Sequence, residues 1–421
     1  MPGVEQEPLS ILVVSQHYWP ETFRINEVVR DLRNSGTRVD VLTGQPNYPR
    51  GTTFEGYRAA GFGHEYHPEG YLIHRVPVVP RGSSGDLRRI ANYLSFVFSG
   101  LALAPWLTRG RRYDVIFVYG VSPILQGLPA ILLKRIKRAA LVIWVQDLWP
   151  DSLLSTGYVR NRQILAAVAA LTRFIYRRAD LLLAQSRSFV PKIAEMAGRG
   201  AHIAYHPNPG DACVAAKRGQ APPANPTAED EFRIVFAGNL GVAQALETVV
   251  EAAARIGDPS IRILLVGAGS RESWLRQEIA RRNLRNIELA GAYPPDRMPE
   301  IFANASALLV TLRRDYSLGL TIPSKVATYM AAERPIIASL DGEAAAIIRE
   351  AGAGLVTAAE DAQALASAII AMKAMPGAQR RSLGHAGRAY FERNFAPELL
   401  TRSLLQHFRQ LQRNTHPDGT K

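Results

Sequence analysis

Cysteine is nearly absent from this chain of 421 residues, where Cys213 stands alone. A single thiol forms no internal disulfide and no cysteine cage for a metal, so a reducing compartment is expected. The nine histidines are scattered, with no HExxH or comparable pair, and no metal cofactor is expected. The opening MPGVEQEPLS lacks the basic-then-apolar form of a signal peptide. A GxSxG elbow, a P-loop and a DxD triplet that would carry a divalent cation are also missing. The one acidic cluster, Glu229-Asp230-Glu231, reads as solvated linker. Any bound diphosphate must therefore be neutralised by protein groups alone. The basic residues are spread along the chain without a helix-turn-helix, RNA-recognition or zinc-finger signature, which sets nucleic acid aside as a partner.

What is present points to a folded, basic protein. Apolar residues make up 47% and charged residues 21%, and the formal net charge is +13. That balance suits an anionic membrane surface or phosphorylated substrates. The length calls for two domains. Short apolar runs alternate with helical patterns: ILVVS, RVDVLTG, YDVIFVYG, LVIWVQD and DLLLAQS, then FRIVFAG, IRILLVG, IELAG, ALLVTL, PIIAS and GLVT. Such alternation predicts α/β architecture with doubly wound parallel sheets. Between the two sets, HPNPGDACVAAKRGQAPPANPTAEDE has no apolar period. The expected organisation is a Rossmann-like domain over 1–204, a linker over 205–231, a second Rossmann-like domain over 232–390, and a C-terminal helix and tail over 391–421 that packs across the junction.

One segment has two readings. Ala91–Leu107 is nearly uncharged and is flanked by Arg88, Arg89, Arg109, Arg111 and Arg112. It is either a core helix or an interfacial helix with its arginines on anionic headgroups and Phe96, Phe98 and Trp106 in the acyl boundary. Pro123–Arg138 repeats the apolar-then-basic form. The expected location is cytoplasmic, peripheral on the inner face of the plasma membrane.

A dehydrogenase reading fails at LLVGAGSRES, which lacks the third glycine of the dinucleotide fingerprint. More informative is GLTIPSKVATYMAAERPIIAS, in which Pro-Ser-Lys opens a small-residue helix. A helix N-terminus already carries partial positive charge and unpaired N–H groups, so Lys325 at that point is either a solvated lysine near the cap or the partner of an anion, a phosphate first of all.

Taken together, VFAGNLGVAQALETVVEAAARI, ILLVGAGSRESWLRQ, IELAGAYPPDRMPEIFANASALLVTL and PSKVATYMAAERPIIAS resemble the second domain of the retaining family-4 glycosyltransferases with the GT-B fold. In the first domain, VVSQHYWPET, VLTGQPNYPRG and WVQDLWPDSL resemble the subgroup that builds colanic acid and O-antigen-type bacterial polysaccharides. The resemblance implies two Rossmann-like domains facing each other across a cleft, with the C-terminal helix crossing back to the first. It implies a donor site at Gly238, Asn239, Gly241, Gln244, Gly267, Tyr293, Ser324, Lys325 and Thr328. Lys325 and Arg313, or Arg314, would offset the leaving diphosphate. The acceptor would meet Glu21, Arg24, Asn47, Gln146 and Asp147, with Asp147 also at the reacting centre. Some positions depart from the family pattern: Asn239 and Gln244 stand where an Arg and a Lys are common, Thr328 where the second glutamate of E-x7-E is usual, Glu21–Arg24 in place of a glycine-rich turn, and Gln146 in place of a histidine.

The implied activity is metal-independent, retaining transfer of a sugar from a nucleotide-diphosphate sugar, a UDP-linked one first, to a polyprenyl-diphosphate-linked or other saccharide acceptor in surface-polysaccharide assembly. Two alternatives stay open. The same fold serves a nucleotide-sugar epimerase or hydrolase, and it could persist in a catalytically silent nucleotide-binding subunit.

Overall fold

The computed structural model describes residues 8–82, 86–155, 161–211, 213–214 and 231–415. Most of the 205–231 stretch, with Glu229 and Asp230, lies outside the described residues, as do the first seven residues of the opening segment. The chain divides into two compact units, Met1–His206 with Thr401–Lys421, and Pro207–Leu400.

The first unit is built on eight strands: β1 (Ser10–Val14), β2 (Arg38–Gly44), β3 (Gly63–Tyr66), β4 (Leu72–Val76), β5 (Val115–Gly120), β6 (Ala140–Val145), β7 (Leu181–Ala184) and β8 (Ile203–Tyr205). Their order is β3-β4-β2-β1-β5-β6-β7-β8, and only the β3–β4 pair is antiparallel. VIFVYG in β5 and ALVIWV in β6 are buried at every position, as befits central strands covered on both faces. From β1 the chain turns to β2 on one side, while β5 lies on the other. Loops that part in this way open a crevice at the carboxyl ends of the strands, where α/β sheets take ligands.

β3, β4 and β8 carry no clear apolar run in the sequence. β4, LIHRV, is wholly buried because its polar groups find partners inside. His74 Nδ1 lies 3.0 Å from His64 Nδ1, and Arg75 pairs with Glu65 and donates to the Gly44 carbonyl at 3.0 Å and the Trp19 carbonyl at 2.7 Å. β8 runs through the expected boundary at 204, and His206 closes the first unit.

The expected boundary at 391 also moves, because it falls inside the helix Gly377–Asn394. The last helix is Pro397–Thr415, and from Thr401 onward it belongs to the first unit. Leu404, Leu405, Phe408 and Leu411 join the core beneath β1, β5 and β6, with Phe408 meeting the edge of Phe117 at 5.3 Å.

The second unit has six strands, all parallel: β9 (Phe232–Ala237), β10 (Ile261–Val266), β11 (Ile287–Gly291), β12 (Ala307–Thr311), β13 (Ile336–Ser339) and β14 (Gly354–Thr357), in the order β11-β10-β9-β12-β13-β14. Its loops part between β9 and β12.

The segment with two readings is the helix Asp86–Leu107. Among the described residues, Leu87–Leu107 is the one stretch long and apolar enough to cross a membrane, by length and composition alone. It is two-faced. Asn92, Phe96, Val97, Ala104 and Leu107 are buried, whereas Leu87 (83% exposed), Ile90, Leu94, Phe98 (66%) and Trp106 (58%) face outward. The expectation for Phe96 is therefore corrected: it belongs to the core. In Pro123–Arg138 the apolar residues Pro129, Ala130, Ile131 and Leu133 also pack inward, and Ile136 is exposed.

Candidate functional site

In the second unit the site grows from the ends of β9 and β10. Gly238 and Gly267 follow them with φ of 138° and 140°, in the region that favours glycine. A Cβ on Gly267 would lie 1.9 Å from the Gly238 carbonyl oxygen, so these turns touch backbone to backbone. Asn239 folds over the same turn, and a Cβ on Gly241 would lie 2.6 Å from its Nδ2. The helix Ser324–Ala331 is pinned to this edge by Tyr329, whose hydroxyl accepts from the Ala237 N–H at 2.8 Å and donates to the Ala237 carbonyl at 3.2 Å.

Residues four apart share a helix face. Lys325, one turn before Tyr329, is thereby aimed at Gly238. Its Nζ donates to Gln244 Oε1 at 2.5 Å and stands 3.9 Å from the centre of the Phe236 ring. A Cβ on Gly238 would come within 3.3 Å of that Nζ. The residue as a whole is half-buried, but the ammonium itself lies inside, and desolvation pushes its pKa down to about 7. The cation thus stands beside the Gln244 side chain.

The other expected donor residues are less concentrated. Ser324 is exposed at the first turn of the helix, Thr328 is half-buried one turn later, and Tyr293 is exposed beyond the end of β11. Arg313 is paired with Glu360, its guanidinium standing 3.6 Å from that carboxylate. With Val242, Thr248, Glu251 and Glu360 it lines an open pocket of about 430 Å³ in which Lys325 has no part. Arg314 is likewise paired, with Asp341 at 3.6 Å.

In the first unit the strand ends carry amides and one carboxylate. Asp147 follows β6 and accepts the Ser122 N–H at 2.8 Å, which fixes the loop after β5. Gln146 is buried, with its N–H on the Gly120 carbonyl at 3.1 Å. Glu21 and Asn47 do not serve as free acceptor contacts, and this corrects the expectation for both. Glu21 is buried with both oxygens engaged, Oε1 by the N–H groups of Asn47 (2.6 Å) and Tyr48 (2.7 Å), Oε2 by His17 Nδ1 (2.9 Å). Asn47 is also spent internally, donating to the Gln45 carbonyl at 2.9 Å and accepting the Arg81 N–H at 3.1 Å. Arg24 is paired with Glu27. Sequence reasoning missed His17, Tyr329 and Asn92. The first had a visible signal, the H-x3-E spacing in HYWPE.

Among the described residues no group of three or more His, Cys, Asp or Glu side chains could hold a metal ion.

Residues 22–209 match the model of a glycosyl transferase 4-like domain, and residues 231–374 match that of the glycosyl transferases group 1. The protein named WcaI of Escherichia coli K12, described as a colanic acid biosynthesis glycosyl transferase, is 27% identical over 341 residues, 77% of this chain and 81% of its own. WbjE of Pseudomonas aeruginosa, named as a glycosyltransferase, is 26% identical over 322 residues, 74% of this chain and 79% of its own. In fold, sucrose-phosphate synthase from Thermosynechococcus elongatus superposes with a TM-score of 0.72 at 18% identity, over 96% of this chain and 99% of that one. HepE of Anabaena, solved with UDP, gives 0.66 at 15% identity, over 96% and 100%. With one family segment on each of its two sheets, the chain belongs to the family-4 glycosyltransferases of the GT-B fold.

Proposed function

We propose that this glycosyltransferase takes a sugar from a nucleotide-diphosphate donor bound on the second unit and delivers it, with retention, to a polyprenyl-diphosphate-linked saccharide in bacterial surface-polysaccharide assembly. The observation that carries the donor half is the Lys325 ammonium held against Gly238 and Gln244 at the point where the loops after β9 and β12 part. A buried ammonium that has no carboxylate partner among the described residues invites an anion, and the adjacent backbone N–H groups and helix dipole favour the same charge. UDP is the first donor candidate, because HepE was solved with UDP-glucose as well as with UDP. The polysaccharide setting follows the name of WcaI.

Transfer would be metal-independent. The acceptor oxygen bonds to the anomeric carbon while the carbon–phosphate-oxygen bond breaks. The acceptor proton passes to the departing diphosphate, and the chain supplies position and charge rather than a nucleophile. The outward stripe of the Asp86–Leu107 helix, with Arg88, Arg109 and Arg112 exposed near its ends, favours peripheral docking on an anionic bilayer from which a lipid-linked acceptor is drawn.

Calorimetry with UDP, GDP and ADP, followed by turnover with and without a polyprenyl-diphosphate-linked sugar, tests the reading. Nucleotide binding with transfer only when the lipid acceptor is present is expected, and EDTA should leave the rate largely intact. Turnover without acceptor would mean a hydrolase or epimerase, and binding without turnover a silent subunit. Loss of the rate in chelator, restored by Mn²⁺, would overturn metal independence.

A further inference from the structure

The crevice edge of the first unit holds a side chain that the reading above does not use. His17 comes three residues after β1 and is 3% exposed. Its ring stacks on Phe23 at 5.2 Å and 10°, and Tyr48 leans over it at 5.7 Å. Its Nδ1 is 2.9 Å from Glu21 Oε2, and Glu21 is 1% exposed. The other carboxylate oxygen already accepts two backbone N–H groups. Nδ1 faces a carboxylate oxygen, an acceptor, so Nδ1 is the donor on this contact. In the neutral imidazole this arrangement leaves Nε2 as the acceptor.

That Nε2 is buried and, among the described residues, receives no hydrogen bond. A buried acceptor left unmade is costly, and each such group in a folded protein calls for an explanation. Two amide oxygens that follow strand ends on the same edge share its condition: Gln16 Oε1 after β1 and Gln185 Oε1 after β7. The acceptors lack hydrogen-bond donors, and saccharide hydroxyls supply them.

We propose that His17 is a substrate-binding residue whose Nε2 accepts a hydrogen bond from a saccharide hydroxyl, with Glu21 as the positioning residue that sets its tautomer. This rests on the reading of the chain as a sugar transferase. It assigns Glu21 to the histidine behind the sugar rather than to the sugar itself.

The test uses the full chain labelled with ¹⁵N-histidine, and long-range ¹H–¹⁵N spectra read the protonation of each ring nitrogen. The native protein should have a protonated Nδ1 and a bare Nε2. The Nε2 resonance should move on addition of methyl hexosides. In Glu21→Gln the amide oxygen must keep serving the two backbone N–H groups, so the amide NH₂ faces Nδ1 and drives the proton to Nε2. Transfer should then fall by about tenfold or more. His17→Phe, which keeps the ring on Phe23, should fall equally, while His17→Gln, which retains an acceptor, should lose far less. A protonated Nε2 in the native protein overturns the proposal. So does a bare Nε2 that no sugar perturbs, or full transfer by His17→Phe. Nucleotide binding at Lys325 is read separately in the same samples, so its absence would sink the donor site and leave the His17 result standing.

Discussion

Lys325 combines two properties that pull against each other. Burial favours its neutral form, while a bound diphosphate would favour the charged one. With its pKa down at about 7 in the free protein, binding at pH 8 should take up a proton, and affinity should fall as pH rises above 7. Calorimetry in buffers of different ionisation enthalpy reads that uptake, and none at pH 8 would mean that the anion does not meet Lys325. Lys325→Ala should weaken nucleotide-diphosphate binding by about 1.5–3 kcal/mol, the range for a hydrogen bond to a charged group. Stability should respond in the opposite sense to affinity. The unfolded chain holds the lysine proton up to its ordinary value near 10.5, whereas the folded chain releases it from about 7, so stability rises with pH between the two. Lys325→Met should therefore be more stable than the native protein at pH 7, with the advantage shrinking toward pH 10. Chemical denaturation at both pH values measures this, and a gap that does not change with pH would contradict it.

The helix Asp86–Leu107 buries one face and leaves an apolar stripe exposed on the other. Phe98, Leu94 and Trp106 can be changed to Ser without touching the core, and vesicle binding should fall while thermal stability holds. Phe96→Ser would instead empty a fully buried position, and a Phe→Ala change there costs about 3–5 kcal/mol. If the outer-face variant still co-sediments with anionic vesicles like the native protein, the stripe is not the docking surface. The same helix marks where sequence patterning stops being informative. Its composition is apolar nearly all round, so the side that is buried depends on Gly100 meeting Pro129 and on Asn92 accepting from Gln16 Nε2 at 2.7 Å, both long-range events. The strands with unbroken apolar runs, such as VIFVYG and ALVIWV, were legible because burial on both faces demands such runs. LIHRV in β4 was not, since its His and Arg are buried only by virtue of partners on other elements. The site divides in the same way. The PSK stretch put Lys325 at a helix start and the H-x3-E spacing was there to be read for His17 and Glu21, whereas the pairing of Arg313 with Glu360 joins residues far apart in the chain.

At the scale of the whole molecule, a net charge of +13 should make vesicle binding ionic in part. Raising the salt from 0.1 to 1 M shortens the screening length from about 10 to about 3 Å, so release should be partial, the apolar contribution remaining. Binding that ignores both salt and lipid charge would rule out the basic surface as an attractant. The other whole-chain property is the return of the last helix. Phe408→Ala should destabilise the first unit by about 3–5 kcal/mol and leave the second nearly unchanged, which two resolved thermal transitions would report. The return also bears on how the protein is made. Everything from Pro207 to Leu400 must leave the ribosome before Phe408 can reach β1, β5 and β6. At ordinary rates of synthesis that is a wait of about 10–40 s. During that interval the first unit lacks the four core residues of the last helix, and the face of Phe117 that Phe408 meets is open to any chaperone that grips such surfaces. The unit that begins emerging first is the one finished last.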